Sequence, residues 1–237
     1  MKAPYGFEVS DSCQACKHRA SDFFCQLPSA ALKDFNAIKS SSVYPEGALL
    51  FLEKQDPRGI FILCEGQVKL SISSSEGKTL ILQIAKAGEV LGLMAALAGT
   101  SYEVTAETLR PCQVAFVRRE DFLRFLSQHP ETNAGVVRQL GAQYQFACEQ
   151  LRTVGLAGSA EEKLAKLLLD WTAEGTEAKA GRVTLPLTHE EIAEFIGSSR
   201  ETVTRTFSEF KSQHLVTLKG STLTIANRAG LQNLVGV

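Results

Sequence analysis

The stretch Thr188-His189-Glu190-Glu191-Ile192-Ala193-Glu194-Phe195-Ile196-Gly197-Ser198-Ser199-Arg200-Glu201-Thr202-Val203-Thr204-Arg205 decides the fold. Thr188 followed three residues on by Glu191 is a capping box, which predicts a helix opening at His189. Ile192, Phe195 and Ile196 give that helix one apolar face, and Ala193 is small where a second helix would cross. Gly197 can take positive φ, so the chain can turn at once. Ser198 to Glu201 reads as a further capping box, opening a helix that buries Val203, Phe207 and Phe210. Two short helices joined by a tight Gly-containing turn form a helix-turn-helix.

The second helix carries Arg200, Glu201, Thr204 and Arg205 on one side, opposite Val203 and Phe207. An Arg in the major groove can donate two bonds to guanine, and a Glu can accept from cytosine N4. Ser199 and Thr202, at the helix N-terminus, suit phosphate oxygens. The alternative is a set of solvated surface charges. The complete capped pattern favours DNA, although nine Lys/Arg against ten Asp/Glu from Ala160 onward give no basic excess. Leu215–Thr217, Lys219-Gly220 and Thr222–Ile225 then read as a hairpin wing.

Working back toward the N-terminus, Ser159 to Glu162 caps a helix that runs through Trp171, and Thr172–Arg182 reads as a loop. Gly155 to Ser159 is a hinge-like break. Before it lies a long helix in which Val137, Leu140, Tyr144, Ala147, Leu151 and Val154 step by three and four. That is a narrow a/d seam, expected to pair with a second copy of the chain; packing on its own domain is the alternative. Asp121–Ser127 is a short helix ended near Pro130.

From Ser42 to Arg118 the texture is short strands broken by Gly and charged turns: Leu49–Leu52, Ile60–Cys64, Val68–Ile72, Thr79–Ile84 and Gln113–Val117. Such spacing indicates an antiparallel sandwich or roll. Pro28 to Phe35 reads as a short helix, with Ser29 as a candidate cap. The expected class is α+β, with segments 1–128 (cysteine segment and roll), 129–158 (dimer helix and hinge) and 159–237 (winged helix-turn-helix).

Across 237 residues, 44% are hydrophobic and 22% charged, so a packed core is expected and global disorder excluded. Net charge is −1, so any nucleic-acid partner must be held by local placement. No apolar run reaches the roughly 20 residues of a membrane span, and the first residues lack a secretory pattern, so a cytoplasmic protein with no membrane partner is expected. The four histidines are scattered, none lies in the roll, and no hydrolase, P-loop or zinc-protease motif occurs. A cupin-like enzyme is therefore the remote alternative, and no enzyme activity is expected.

Ser199-Arg200-Glu201-Thr202-Val203-Thr204-Arg205 is similar to the recognition helix of the cyclic-AMP receptor protein/fumarate-nitrate regulator (CRP/FNR) family. Phe61-Ile62-Leu63-Cys64-Glu65-Gly66-Gln67-Val68-Lys69-Leu70 and Gly88-Glu89-Val90-Leu91-Gly92 resemble its roll motifs, and the long helix resembles its dimer helix. The resemblance implies a cyclic-nucleotide-binding-like sensor roll, a dimer helix and a winged helix reading DNA. It further implies that Arg200, Glu201 and Arg205 contact bases of palindromic TGTGA-like half-sites, and that RNA polymerase is a partner.

The cyclic-nucleotide branch of that family carries a Glu after the roll's second Gly and a later Arg-Ser pair. Here Leu93 follows Gly92, Glu103 lies near the phosphate position, and no Arg occurs between Arg58 and Arg110. A cyclic nucleotide is therefore not expected. Six cysteines are present, three of them within the first 25 residues. Resemblance to the FNR branch implies a [4Fe–4S] cluster on Cys13, Cys16, Cys25 and Cys112, with a longer gap before Cys25 than in the best-known sensors. Zinc on the same thiolates, a Cys13/Cys16 redox dithiol, or no metal at all remain open. Cys64 reads as core, and Cys148 carries no assigned role.

Overall fold

The computed structural model describes residues 4–6, 13, 16, 23–156, 158–172, 182–185, 187–220 and 222–235. It divides into two compact units, one of residues 1–77 with 82–146, the other of residues 78–81 with 147–237. Among the described residues no helix is long and apolar enough to cross a membrane.

An antiparallel roll makes up most of the first unit, with the start of one strand, residues 79–81, assigned to the second. Helix α1 (Ser29–Ile38) is followed by strands β1 (Lys39–Tyr44), β2 (Leu49–Phe51), β3 (Gly59–Glu65), β4 (Gln67–Ser73), β5 (Thr79–Lys86) and β6 (Val90–Leu91). Helix α2 (Leu93–Ala98), strands β7 (Thr105–Thr108) and β8 (Cys112–Arg118), and helix α3 (Arg119–Gln128) complete it. The strands form two sheets, ordered β1-β8-β3-β6 and β2-β7-β4-β5. The helix expected over Pro28–Phe35 forms, but Ser29 is its first residue rather than its cap; Pro28 occupies the N-cap position and no side chain caps it.

Side-chain alternation on β3 and β8 organises the core. Phe61 and Leu63 of β3, with Cys112 and Val114 of β8, turn toward Phe51, Val68, Tyr102 and Ala106 inside the roll. Ile60 and Ile62, with Ala115 and Val117, turn the other way, onto Leu32 and Phe35 of α1 and Phe122 and Phe125 of α3. The Phe24 and Phe35 rings lie 5.1 Å apart between centroids and tilted, and Phe35 and Phe125 meet edge to face at 5.2 Å. This second cluster also takes in Val136 and packs against Leu140. Burying an aromatic or branched aliphatic side chain here contributes about 1.5–3 kcal/mol.

Helix α4 (Asn133–Leu156) spans 24 residues and runs on through Gly155, where the sequence suggests a break. Helix α5 (Ala160–Trp171) opens with Ser159 Oγ accepting from Glu162 N. Of the expected loop 172–182, residues 173–181 lie outside the described set, and Arg182 opens strand β9 (Arg182–Thr184). Helices α6 (His189–Ile196) and α7 (Arg200–Ser212), the hairpin β10 (Val216–Lys219) and β11 (Thr222–Ile225), and α8 (Arg228–Val235) complete the second unit. Strand β11 pairs with both β10 and β9, giving a three-stranded wing.

Candidate functional site

Two places gather chemistry: one side of α7, and a cavity beside β3. At α6 the reciprocal capping box forms as the sequence predicts, with Glu191 N donating to Thr188 Oγ1 at 3.2 Å and Thr188 N to Glu191 Oε2 at 2.9 Å. Gly197 takes φ 62°, and the Ser198 N–H returns to Ala193 O at 2.9 Å. Because Ser198 still belongs to that helix end, the next N-cap is Ser199, accepting from Thr202 N at 3.2 Å. This corrects the expected Ser198/Glu201 box and leaves the Glu201 side chain exposed.

Val203, Thr206, Phe207 and Phe210 bury one face of α7. The opposite face presents Arg200, Glu201, Thr204, Arg205 and Ser208 around one open concavity. Ser208 is missing from the sequence-based set, although it follows Thr204 by four residues, the spacing that places two side chains on one face. Arg205 Nε stands 3.9 Å from Glu209 Oε1, an exposed pair of small energetic weight. His189 Nδ1 lies against Thr204 Oγ1, and burial, followed by the nearby Lys211 and Arg200 charges, holds its pKa below the ordinary histidine value.

On α4 the six expected seam residues divide. Val137, Tyr144 and Leu151 are 67%, 72% and 71% exposed and follow each other at heptad spacing. Ala147 is exposed beside them. Leu140 departs from the exposed stripe because it packs on the cluster containing Ile60 and Phe125, and Val154 is half-buried.

The second place is a small cavity lined by Cys13, Cys16, Phe24, Cys25, Lys39, Ile62 and Cys64, among others. Its volume of about 30 Å³ is room for a single small occupant. Cys13 is fixed through its N–H, which donates to Asn36 Oδ1 of α1 at 3.0 Å. Phe24 and Leu27 fill the core on either side of Cys25, which stays half-buried and lines the cavity. Burial pushes the Cys13 thiol above its ordinary value, and pushes Cys64 up to about 12, with Cys13 adding to the shift and Lys39 opposing it. None of the six cysteines is paired in a disulfide.

Cys112 does not join this group. It is fully buried inside the roll, where its thiol donates toward Arg110 O at 3.1 Å and Gln67 O at 3.3 Å. Gly66, at φ 106°, sits so close that a Cβ there would run into Cys112 Sγ and Pro111 O. The expected four-cysteine set is thus split between the two faces of one sheet. Among the described residues, no three His, Cys, Asp or Glu side chains converge as ligands of one metal ion. In kind, the cavity's four thiols, Cys13, Cys16, Cys25 and Cys64, suit a thiophilic centre.

Of the two residues that stand where the cyclic-nucleotide branch would hold its ligand, Leu93 is buried and Glu103 is exposed. Neither residue supplies a cation for a phosphate.

Two family models match the chain: a cyclic nucleotide-binding domain over residues 42–129 and a Crp-like helix-turn-helix domain over residues 162–234. Similar proteins include the transcriptional activatory protein AadR of Rhodopseudomonas palustris, 27% identical over 86% of this chain and 84% of that one. The nitrogen fixation regulation protein FixK of Bradyrhizobium diazoefficiens is 24% identical over 94% and 93%. Among solved structures, FixK2 from Bradyrhizobium japonicum superposes with a TM-score of 0.73 at 21% identity, over 83% of this chain and 97% of that one, a likeness of fold.

Proposed function

Because the chain belongs to the CRP/FNR family of DNA-binding transcriptional regulators, we propose that it is a homodimeric, redox-responsive member whose signal enters at the cysteine-lined cavity. The observation that carries the reading is the meeting of Cys13, Cys16 and Cys25 in one cavity against the sheet.

The DNA-reading face is α7. Arg200, Glu201, Thr204 and Arg205 address base edges of a TGTGA-like half-site, while Ser199 and Thr202 hold phosphates at the helix N-terminus. Two such helices act together when a second copy covers Val137, Tyr144 and Leu151, which gives a palindromic site with half-sites about 34 Å apart. RNA polymerase is the partner at the promoter.

Cys13, Cys16 and Cys25 are the residues that would hold an iron–sulfur cluster, and Lys39 would offset part of its thiolate charge. When bound, the cluster supplies a centre whose integrity depends on oxygen. Phe24, Phe35 and Ile62 line the cavity and belong to the same packed cluster as Val136 of α4. A change in how the cysteine segment is tethered therefore bears directly on the first turns of the dimer helix. We do not assign a cyclic nucleotide, since no Arg lies between Arg58 and Arg110 to pair with its phosphate.

Protein purified without oxygen and reconstituted with ferrous iron and sulfide tests the reading by binding to a palindromic duplex, followed by fluorescence anisotropy before and after exposure to air. Air-sensitive affinity supports it. Equal affinity in both conditions overturns the redox reading, and absence of specific binding in either overturns the DNA-contact assignment.

A further inference from the structure

We propose that Cys64 of β3, and not Cys112, completes the thiolate set of Cys13, Cys16 and Cys25. The inference rests on the redox-centre reading above and names the ligand that the family resemblance misplaces.

Parity along the strands separates the two candidates. Cys64 follows Ile60 and Ile62 in steps of two, and like them meets the cluster beneath α1 and α3. Cys112 precedes Val114 in the same step, and like it faces the roll interior. These two strands are hydrogen-bonded neighbours, Ile62 opposite Ala115 and Leu63 opposite Val114. Within a regular ladder a side chain changes face only by a one-residue shift of its strand, which would turn the core side chains out. In the observed register Cys112 does not meet Cys13.

Local geometry favours Cys64 for the role. The β3–β8 register shifts between Leu63 and Glu65, so Cys64 sits at an irregularity in the ladder, the kind of place where a strand re-aims a side chain. Its thiol lies 3.7 Å from Ile62 O, a long contact even for sulfur, and the side chain lines the cavity with the other three. The Cys112 thiol, by contrast, is held by two carbonyls and closed off by Gly66. Three ligands would come from the segment before α1 and one from the sheet, so ligation would pin that segment to β3.

The test uses the full chain as wild type, Cys64→Ser, Cys64→Ala, Cys112→Ser and Cys13→Ser. Each is reconstituted anaerobically with ferrous iron and sulfide, and separately loaded with Zn²⁺ alone. Visible absorbance, iron, sulfide and zinc contents are read, with circular dichroism to check folding. The expected result is a brown wild type with about four irons per chain. Both Cys64 variants and Cys13→Ser lose the colour while remaining folded, and Cys112→Ser keeps it. Colour retained in folded Cys64 variants and lost in Cys112→Ser overturns the assignment and leaves the iron–sulfur reading standing. A colourless wild type that binds one zinc, lost in the Cys64 variants, supports the four-cysteine site and overturns the iron–sulfur reading. A wild type that takes up neither metal overturns both.

Discussion

His189 Nδ1 lies 3.0 Å from Thr204 Oγ1, and its ring stacks on Phe207 at 4.9 Å between centroids. The first helix of the DNA-binding motif thus meets the second through an imidazole whose burial and cationic neighbours favour the neutral form. Burial comes first in lowering the His189 pKa, and the Lys211 and Arg200 charges add to it. The unfolded chain, near the ordinary value of about 6.5, takes up the proton more readily. Stability from this contact is therefore present above that value and lost as the pH falls through the lower folded value. The melting temperature of the wild type should drop further than that of His189→Gln between about pH 7.5 and pH 5.5. Parallel curves would remove His189 from the account.

Arg205→Ala should cost about 1–3 kcal/mol per half-site and relax discrimination at one guanine, measured by competition among single-base variants of the duplex. Glu209→Gln releases the Arg205 guanidinium from its exposed partner and should leave folding unchanged, because such pairs contribute about 0–1 kcal/mol. A uniform loss across all sequences for Arg205→Ala would reassign it to phosphate.

Val137→Lys with Leu151→Lys places like charges against their symmetry mates, and each buried unpaired charge costs several kcal/mol. Sedimentation should show monomers with a normal fold and no specific DNA affinity. Leu140→Lys should behave differently, lowering the melting temperature of the roll itself, because Leu140 packs on the cluster beneath β3. A dimer persisting in the double variant would place the interface elsewhere.

Gly66→Ala and Gly47→Ala both put an L side chain at positive φ, 106° and 75°. At Gly47 nothing lies within 4 Å of the added Cβ, whereas at Gly66 it meets Cys112 and Pro111. Gly47→Ala should cost about 1–3 kcal/mol from strain alone, and Gly66→Ala more than that. Denaturant titration of the pair separates collision from strain; equal losses would mean that the roll yields around Cys112.

The helix-turn-helix was legible because its signals are local. Thr188 and Glu191 lie within one turn of each other, and Gly197 within the next. Choosing between Ser198 and Ser199 as cap was not legible, since it depends on where the preceding helix lets go. Strand β1, Lys-Ser-Ser-Ser-Val-Tyr, carries no apolar period; it is an edge strand defined by its pairing with β8. Strand β7 is short and small, and becomes a strand only between β2 and β4. The seam of α4 was legible as a stripe, but spacing alone cannot say whether Leu140 meets a partner or its own core. Cys64 reads as core, and it does pack against one. What the sequence could not disclose is its meeting with Cys13, some fifty positions away, because only the folded sheet brings them together.

Strand β3 acts as a partition wall. Its even-numbered residues look out on cysteines and α1, and its odd-numbered residues look in on Phe51 and Tyr102. Side chains on the two sides share backbone but few neighbours, so substitutions on opposite faces should add nearly independently in stability. A lineage could refit the inner compartment for a different small molecule while keeping the outer one, or discard the thiols while keeping the barrel. One strand thereby keeps two separately packed compartments within a single small domain.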